Sequence, residues 1–414
     1  MRYRSHLGKG ALVLILSCLA SFLLLELLVR MFLPIRSFTV GTINASTIPN
    51  AALYGWGYAP GAEIKQTDPD TGEVFSSRAN SGGWKDVEHQ LKKARGSVRI
   101  LILGDSNTFG IVPLEHIYPR ILEGLLGNVG FNAEVISMGY GNWGTDQELM
   151  ALKYAGLAYN PDIVINQFDT NDLRNNLALD DIELLKPFRF QIVNGELNMR
   201  AVQPKPAKPD ERHGTWVKGV LLRSHVIFYM NKVKWILLQR VSQFGGEDRP
   251  QNRPRTIDPY APGKNPTGPY FVFHLSQRGD PGIEAAWLLY EKLVEEMKRF
   301  SEKNGAIFVL FNQIEKGRLA CEKRWHNVVE DKAGHHAMLW QGRLHPIYYY
   351  RHIDRLNDIA RRIGALIVPN RRSYTRFNND CHPNIEGNRR MAEDIFDFLI
   401  TEEKTSHVLL NGVY

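Results

Sequence analysis

Five short apolar runs alternate with helical patterns between residues 98 and 402, and this alternation constrains the fold most strongly. Short apolar runs bounded by turn residues are typical of buried strands, and the longer amphipathic stretches between them are typical of helices. Strands that are apolar on both sides need both faces of their sheet covered. The sequence therefore predicts an α/β fold with a parallel sheet between two helical layers. The predicted strands are residues 98–103, 133–138, 162–168, 306–312 and 365–370.

One interval interrupts this alternation after the third predicted strand. Residues 173–280 contain proline-rich stretches around one apolar, basic helical pattern at 217–244. We interpret the interval as an insertion and not as a separate domain. Loops at the carboxyl ends of parallel strands surround the ligand site, so we expect the insertion beside or over that site. Its helix is expected to pack on the core, with membrane contact or a substrate lid as alternatives.

The amino terminus has the pattern of a membrane anchor. Residues 1–10 are basic, and residues 11–33 are apolar apart from Glu26 and Arg30, which are expected to pair on one helix face. About 20 residues suffice to cross a bilayer as a helix, and no cleavage site follows the run. Basic residues before an apolar segment stay in the cytoplasm, so the sequence predicts an uncleaved single-span anchor with the remaining chain exported.

These patterns divide the chain into segments. We expect a cytoplasmic basic tail, a transmembrane anchor, a connector with a lead-in, one enzyme-like domain and a C-terminal tail. Their ranges are 1–10, 11–33, 34–97, 98–402 and 403–414.

Charge and cysteine content limit the partners. Lys and Arg number 51 against 44 Asp and Glu, a scattered excess that does not indicate a nucleic-acid partner. Neither His-Glu-x-x-His nor Cys-x-x-Cys occurs, so we expect no metal and no cofactor. In an exported domain Cys321 and Cys381 could form a disulfide, but the sequence cannot place them within bonding distance, and the pairing stays open.

The first predicted strand ends at Gly104-Asp105-Ser106, within "GDSNTFG". Serine at a strand-to-helix junction is often an N-cap, so Ser106 is interpreted either as a cap or as a nucleophile. The motif is not the nucleophile elbow of α/β-hydrolases, because Thr108 stands where that elbow needs glycine. It is not a phosphate loop, because no Gly-Lys-Ser/Thr follows.

Three polar clusters follow other predicted strands and supply what a serine nucleophile needs. They are "MGYGNWGTDQE", "FDTNDLRNN" and "NNDCHPNIEGNRRMAEDI". His382 can act as the base, Asp380 is the nearest carboxylate that can orient it, and the Asn171 amide can donate to an oxyanion. The carboxyl ends of parallel strands meet at one edge, so these residues are expected together.

In this order the motifs resemble the four blocks of the SGNH/GDSL hydrolases, over about residues 75–190 and 300–400. "NSGGWKDVEH" also resembles the lead-in of membrane-anchored bacterial members. The resemblance implies a flavodoxin-like three-layer sandwich with a five-stranded parallel sheet. It also implies that Ser106 is the nucleophile and one backbone oxyanion donor, that Asn171 is the side-chain donor, and that His382 is the base with Asp380 as its partner.

The sequence departs from the family pattern in three places. Asn142 stands where a glycine offers its backbone N–H, so left-handed geometry is expected there. Asp169 replaces the glycine two residues before Asn171. The acid usually lies three residues before the histidine, a position that Asn379 occupies, while Asp380 lies two before it.

The resemblance implies a serine esterase in a bacterial inner membrane, facing the periplasm or exterior. The expected substrate is a small acyl ester or an O-acylated carbohydrate, glycan or lipid. An O-acyltransferase with the same residues and a catalytically inactive exopolysaccharide-assembly protein are the alternatives. Trp325, His326 and Trp340 follow the fourth predicted strand and are candidates for substrate contact.

Overall fold

The computed structural model describes most of the chain in eleven stretches. They are residues 2–32, 51–177, 186–203, 226, 230, 281–314, 328–330, 336–340, 343–348, 350–378 and 380–411. The helices are α1 Arg2–Phe32, α2 Ala51–Tyr54, α3 Ser106–Phe109, α4 Tyr118–Asn128, α5 Thr145–Tyr154, α6 Asn171–Asn176, α7 Pro281–Lys303, α8 Arg351–Ile363, α9 Ile385–Thr401 and α10 Glu403–Asn411. The strands are β1 Glu63–Thr67, β2 Val74–Arg78, β3 Val98–Gly104, β4 Ala133–Gly139, β5 Ile163–Phe168, β6 Phe188–Val193, β7 Glu196–Ala201, β8 Ile307–Asn312, β9 Val328–Glu330, β10 His336–Trp340, β11 Arg343–Ile347 and β12 Leu366–Val368.

The predicted five-stranded parallel sheet is confirmed. Its strand order is β4-β3-β5-β8-β12, and all its neighbours pair in parallel. The strand order reverses beside β3, because the chain moves outward to β4 and then returns to β5 on the other side of β3. Such a reversal opens a crevice at the carboxyl ends of the strands, where ligands of open α/β sheets bind.

The sheet separates the core into two layers, and alternate side chains of β3 point into each of them. Leu101 and Leu103 face a cluster with residues of α5, α7 and α8, whereas Ile100 and Ile102 face a cluster with residues of α4, α9 and α10. Every residue of β3 is buried. The sheet is thus covered on both faces, as the unbroken apolar runs predict.

Segments outside the predicted domain also contribute to the core. In the predicted connector, β1 and β2 form an antiparallel hairpin, and Trp56 and Trp84 are buried. In the predicted tail, α10 buries Leu409 against α9. The folded core therefore extends on both sides of residues 98–402.

The predicted insertion contains a hairpin of β6 and β7 that the proline-rich composition did not indicate. Of the helix predicted at 217–244, Val226 and Met230 are helical, and its other residues lie outside the described ones. After β8, the strands β9, β10 and β11 form a small antiparallel sheet.

The chain divides into two compact units. One contains Met1–Ser37 and Ala207–Gln251, and the other contains Phe38–Pro206 and Asn252–Tyr414. Part of the predicted insertion therefore groups with the amino terminus. In the first unit Glu26 Oε2 accepts the backbone N–H of Val226 at 3.0 Å, and the side chain of its expected partner Arg30 lies outside the described ones.

Residues 11–32 of the predicted anchor belong to α1, which is 31 residues long, and residue 33 lies outside the described ones. Among the residues that the structure describes, no helix is both long enough and apolar enough to cross a membrane.

Candidate active site

The carboxyl ends of β3 and β4 approach each other closely. The two strands stay paired up to Gly104 and Gly139. A Cβ at Gly104 would lie 2.1 Å from Thr108 Oγ1, and one at Gly139 would lie 2.6 Å from the backbone nitrogen of Phe109. Only glycine at these ends lets α3 pack directly on the sheet, which brings the start of α3 to the crevice.

Asp105 caps α3, and Ser106 is its first helical residue. The side chain of Asp105 accepts the backbone N–H of Asn107 at 2.9 Å, which is the N-cap contact. The interpretation of Ser106 as the cap is therefore wrong. Its hydroxyl is not used as the cap and lies 3.5 Å from Asp105 Oδ2. Its backbone N–H lies in the first turn, where donors have no partner inside the helix.

The structure brings Ser106, His382 and Asp380 together. His382 Nε2 lies 2.8 Å from Ser106 Oγ, and His382 Nδ1 lies 2.5 Å from Asp380 Oδ1. Asp380 Oδ1 also accepts the backbone N–H of His382 at 2.8 Å. Asn379, the other candidate acid, lies outside the described residues.

The loop that carries His382 is fixed at the start of α9. Asn384 caps that helix and accepts the backbone N–H of Gly387 at 2.9 Å, so Asp380 is not its cap. Arg376 pairs with Pro383 in a β-bridge and donates to the carbonyl of Cys381 at 2.6 Å. Cys381 is disulfide-bonded and Cys18 is free, while Cys321 lies outside the described residues.

The surrounding carboxylates raise the pKa of His382. Burial alone would lower this pKa, but the charge and hydrogen bond of Asp380, followed by the charges of Asp105 and Asp169, outweigh burial. A raised pKa makes the neutral imidazole a stronger base. This electrostatic environment suits removal of the Ser106 hydroxyl proton.

The predicted oxyanion donors come from three strand ends. Asn171 is buried at the start of α6 and donates through Nδ2 to Asp105 Oδ2 at 2.8 Å. An amide nitrogen carries two N–H bonds, so one remains for an oxyanion. Asn142 has φ 60°, the left-handed geometry that the replacement of glycine predicts. Its loop begins next to β3, because Tyr140 donates to the carbonyl of Gly104 at 3.3 Å.

Asp169, the second departure from the family pattern, binds two strand ends beside the site. Its Oδ2 accepts Asn107 Nδ2 at 2.8 Å and Gln313 Nε2 at 2.7 Å. Gln313 Oε1 accepts Arg376 at 3.0 Å. Gln313 and Arg376 are not among the residues predicted from the sequence, although a polar residue directly after the predicted fourth strand is a signal for Gln313.

Further carboxyl groups lie buried behind the site. Burial first, and then the charge of Asp105, raises the pKa of Glu148 well above its ordinary value. Burial first, and then the charges of Glu148 and Asp105, raise the pKa of Asp172 well above its ordinary value. Both side chains are completely buried. Neutral carboxyl groups fit this interior better than charged ones.

The candidate substrate contacts fall largely outside the described residues. Trp325 and His326 belong to none of the described stretches, and Trp340 ends β10 but its side chain is not described. In the described part of the chain, no group of three or more His, Cys, Asp or Glu residues is arranged to hold a metal ion.

No protein-family model and no curated protein sequence matches this chain. Solved structures with a similar arrangement do exist. An acetyl xylan esterase shares 12% identity and covers 73% of this chain and 100% of its own, with a TM-score of 0.35. The lipase/acylhydrolase from Enterococcus faecalis shares 10%, covers 73% and 95%, and has a TM-score of 0.34. A GDSL-like lipase from Bacteroides thetaiotaomicron shares 10%, covers 72% and 85%, and has a TM-score of 0.30.

These structures include members of the family that the four sequence motifs resemble. Their identities and TM-scores are low, so the roles considered for Ser106, His382 and Asp380 rest on the contacts of this chain alone.

Proposed function

We propose that the chain is a serine hydrolase of the SGNH/GDSL type that cleaves an acyl ester through an acyl-Ser106 intermediate. The contacts of His382 carry this proposal, with Nε2 2.8 Å from Ser106 Oγ and Nδ1 2.5 Å from Asp380 Oδ1. A serine hydroxyl becomes nucleophilic when a neighbouring imidazole takes its proton and a carboxylate orients that imidazole. The observed contacts supply both requirements.

In the first half-reaction, Ser106 Oγ bonds to the ester carbonyl carbon while its proton passes to His382 Nε2. The N–H groups of Ser106, Asn142 and Asn171 stabilise the negative oxygen of the tetrahedral intermediate. The bond to the alcohol oxygen then breaks, and the alcohol leaves with the proton from His382. The acyl group remains on Ser106.

In the second half-reaction, water takes the place of the alcohol. It attacks the acyl carbon while giving one proton to His382 Nε2. The bond between the acyl carbon and Ser106 Oγ breaks, and His382 returns the proton to Ser106. The products are the free carboxylic acid, which ionises in solution, and the original enzyme.

A serine-directed fluorophosphonate tests the nucleophile without knowledge of the natural substrate. Ser106 Oγ attacks phosphorus, fluoride leaves, and His382 takes the hydroxyl proton. We expect the full-length protein to be labelled, Ser106→Ala and His382→Ala to lose labelling, and the control Ser97→Ala to retain it. An absent adduct on the wild-type chain, or an equal adduct on Ser106→Ala, would overturn the proposal.

We place the substrate among acyl esters of carbohydrates, glycans or lipids outside the cytoplasm. This part rests on the anchor and export predicted from residues 1–33. Turnover of a chain-length series of esters defines the acyl group, and product analysis with and without a sugar acceptor separates hydrolysis from acyl transfer. Protease accessibility in intact cells tests the predicted location.

A further inference from the structure

The loop after β4 carries the peptide group that joins Gly141 to Asn142. The N–H of this peptide is the backbone donor that the proposed function assigns to Asn142. Trp56, far from this loop in the sequence, donates its indole N–H to the carbonyl of Gly141 at 3.0 Å. The carbonyl and the N–H therefore belong to one planar unit, and the indole contacts that unit from one side.

A trans peptide directs its C=O and N–H in opposite directions. The carbonyl of Gly141 is directed at the indole of Trp56, which is completely buried. The N–H of Asn142, on the other side of the same peptide, is therefore directed away from that indole. A hydrogen bond to the carbonyl also polarises the peptide and strengthens the N–H as a donor. Trp56 thus acts on both the direction and the strength of the donor.

Two more contacts fix the same loop. Trp143 donates its indole N–H to the carbonyl of Trp56 at 3.1 Å, so the two tryptophans bind each other's segments reciprocally. Asn175 Nδ2 donates to the carbonyls of Asn142 and Trp143 at 3.0 and 2.9 Å. Asn142, which has a left-handed backbone, is therefore fixed by hydrogen bonds to the carbonyl before it, from Trp56, and to its own carbonyl, from Asn175.

We propose that Trp56 is a positioning residue that orients the Gly141–Asn142 peptide as an oxyanion donor, with Trp143 and Asn175 holding the loop around it. Trp56 lies outside the four motifs and before the lead-in, so the sequence motifs do not indicate this role. The inference rests on the proposed function, since the oxyanion forms only during attack by Ser106.

Trp56→Phe removes the indole donor and keeps an aromatic ring in the core. The matched control is Trp84→Phe. Trp84 is buried beside Tyr54 and Trp143, and none of its hydrogen bonds within the described residues reaches 140–143. Both variants suffer the same truncation within one buried hydrophobic cluster, so any excess effect of Trp56→Phe comes from the lost contact with Gly141.

The readout is the second-order rate of Ser106 phosphonylation by the fluorophosphonate, measured on the full-length protein well below the melting temperatures of all variants. Loss of a whole oxyanion donor costs about 10²–10³-fold, so misorientation by Trp56→Phe is expected to cost about 10-fold. Trp84→Phe is expected to stay within about 2-fold of wild type on the same scale. In steady-state kinetics with an ester that the enzyme hydrolyses, Trp56→Phe should lower kcat and leave KM unchanged, because the oxyanion exists only in the transition state and the intermediate.

Equal phosphonylation rates for Trp56→Phe and Trp84→Phe would overturn the inference. The proposed function would still stand in that case if Ser106 of the wild-type protein is labelled. Absence of Ser106-dependent labelling in wild type would overturn both. If Trp56→Phe does not fold, Trp143→Phe replaces it, because that change removes the bond that holds Trp56. An effect of Trp143→Phe no larger than that of Trp84→Phe would then overturn the inference.

Discussion

Asp380 Oδ1 accepts both the side-chain Nδ1–H and the backbone N–H of His382, at 2.5 and 2.8 Å. The short spacing of two residues therefore still allows a carboxylate to orient the imidazole. The same carboxylate oxygen of Asp380 thus holds the imidazole and the backbone of His382. This orientation leaves Nε2 of His382 directed at Ser106.

We expect Asp380→Asn to reduce ester turnover about 10³- to 10⁴-fold, because the amide no longer stabilises the imidazolium or selects the tautomer. Asn379→Ala serves as the neighbouring control and should lose much less. Steady-state kinetics on one ester checks both variants. The reverse order of the two losses would contradict the assignment of the acid.

Much of this arrangement is predictable from sequence. Five apolar runs sufficed for the sheet because strands buried on both faces consist mostly of apolar residues. The order of motifs at strand ends was sufficient to bring Ser106, His382 and Asn171 to one edge. Both predictions depend on short-range patterns and on the geometry of parallel strands.

Other parts depend on contacts that leave no local pattern. The bonds from Trp56 to Gly141 and from Asp169 to Gln313 join residues that are 85 and 144 positions apart. Only the folded chain shows which polar atoms these side chains meet.

The charge of Asp169 contributes to the raised pKa of His382, which gives a prediction for the pH profile. Since the base must be neutral to act, kcat/KM rises with pH through this pKa. Asp169→Asn removes a negative charge beside the imidazole, so the acid limb should move to lower pH. The measurement is kcat/KM from pH 4 to pH 9.

Asp70→Asn is the control for that profile. Asp70 contacts the same loop by accepting the backbone N–H of Asn378 at 2.8 Å, but its charge is not among the causes that shift His382. The acid limb of the kcat/KM profile of Asp70→Asn should coincide with that of wild type. An unchanged or upward-shifted limb in Asp169→Asn would contradict the electrostatic role of Asp169.

Arg376 connects the histidine loop to the end of β8 by donating to the carbonyl of Cys381 at 2.6 Å and to Gln313 Oε1 at 3.0 Å. Arg376→Ala should lower kcat up to about 10²-fold, because small displacements of a base are costly. Arg390→Ala is the control, since Arg390 also donates to a loop carbonyl, that of Ser373, at 2.8 Å. Equal kinetic losses in the two variants would exclude a specific role for Arg376.

Lys85 supports the loop that follows α3 from inside the protein. The residue is 2% exposed, and its ammonium donates to Gln66 Oε1, to the carbonyl of Gly110 and to the carbonyl of Val112, at 2.5, 3.0 and 2.6 Å. Burial lowers the pKa of Lys85 to about 7, and the charge of Glu115 opposes this shift only in part. In the unfolded chain a lysine has a pKa of about 10.4.

Between these two pKa values the unfolded chain holds a proton that the folded chain has released. The free energy of unfolding therefore rises with pH across this window, by up to about 1.4 kcal/mol per pH unit from Lys85 alone. Lys85→Met removes this titration, so the stability difference, wild type minus variant, should increase from pH 7.5 to pH 9.5. Urea unfolding followed by tryptophan fluorescence gives the two free energies at each pH. A difference that stays constant over this range would show that Lys85 keeps its proton in the folded state, held by its three oxygen acceptors.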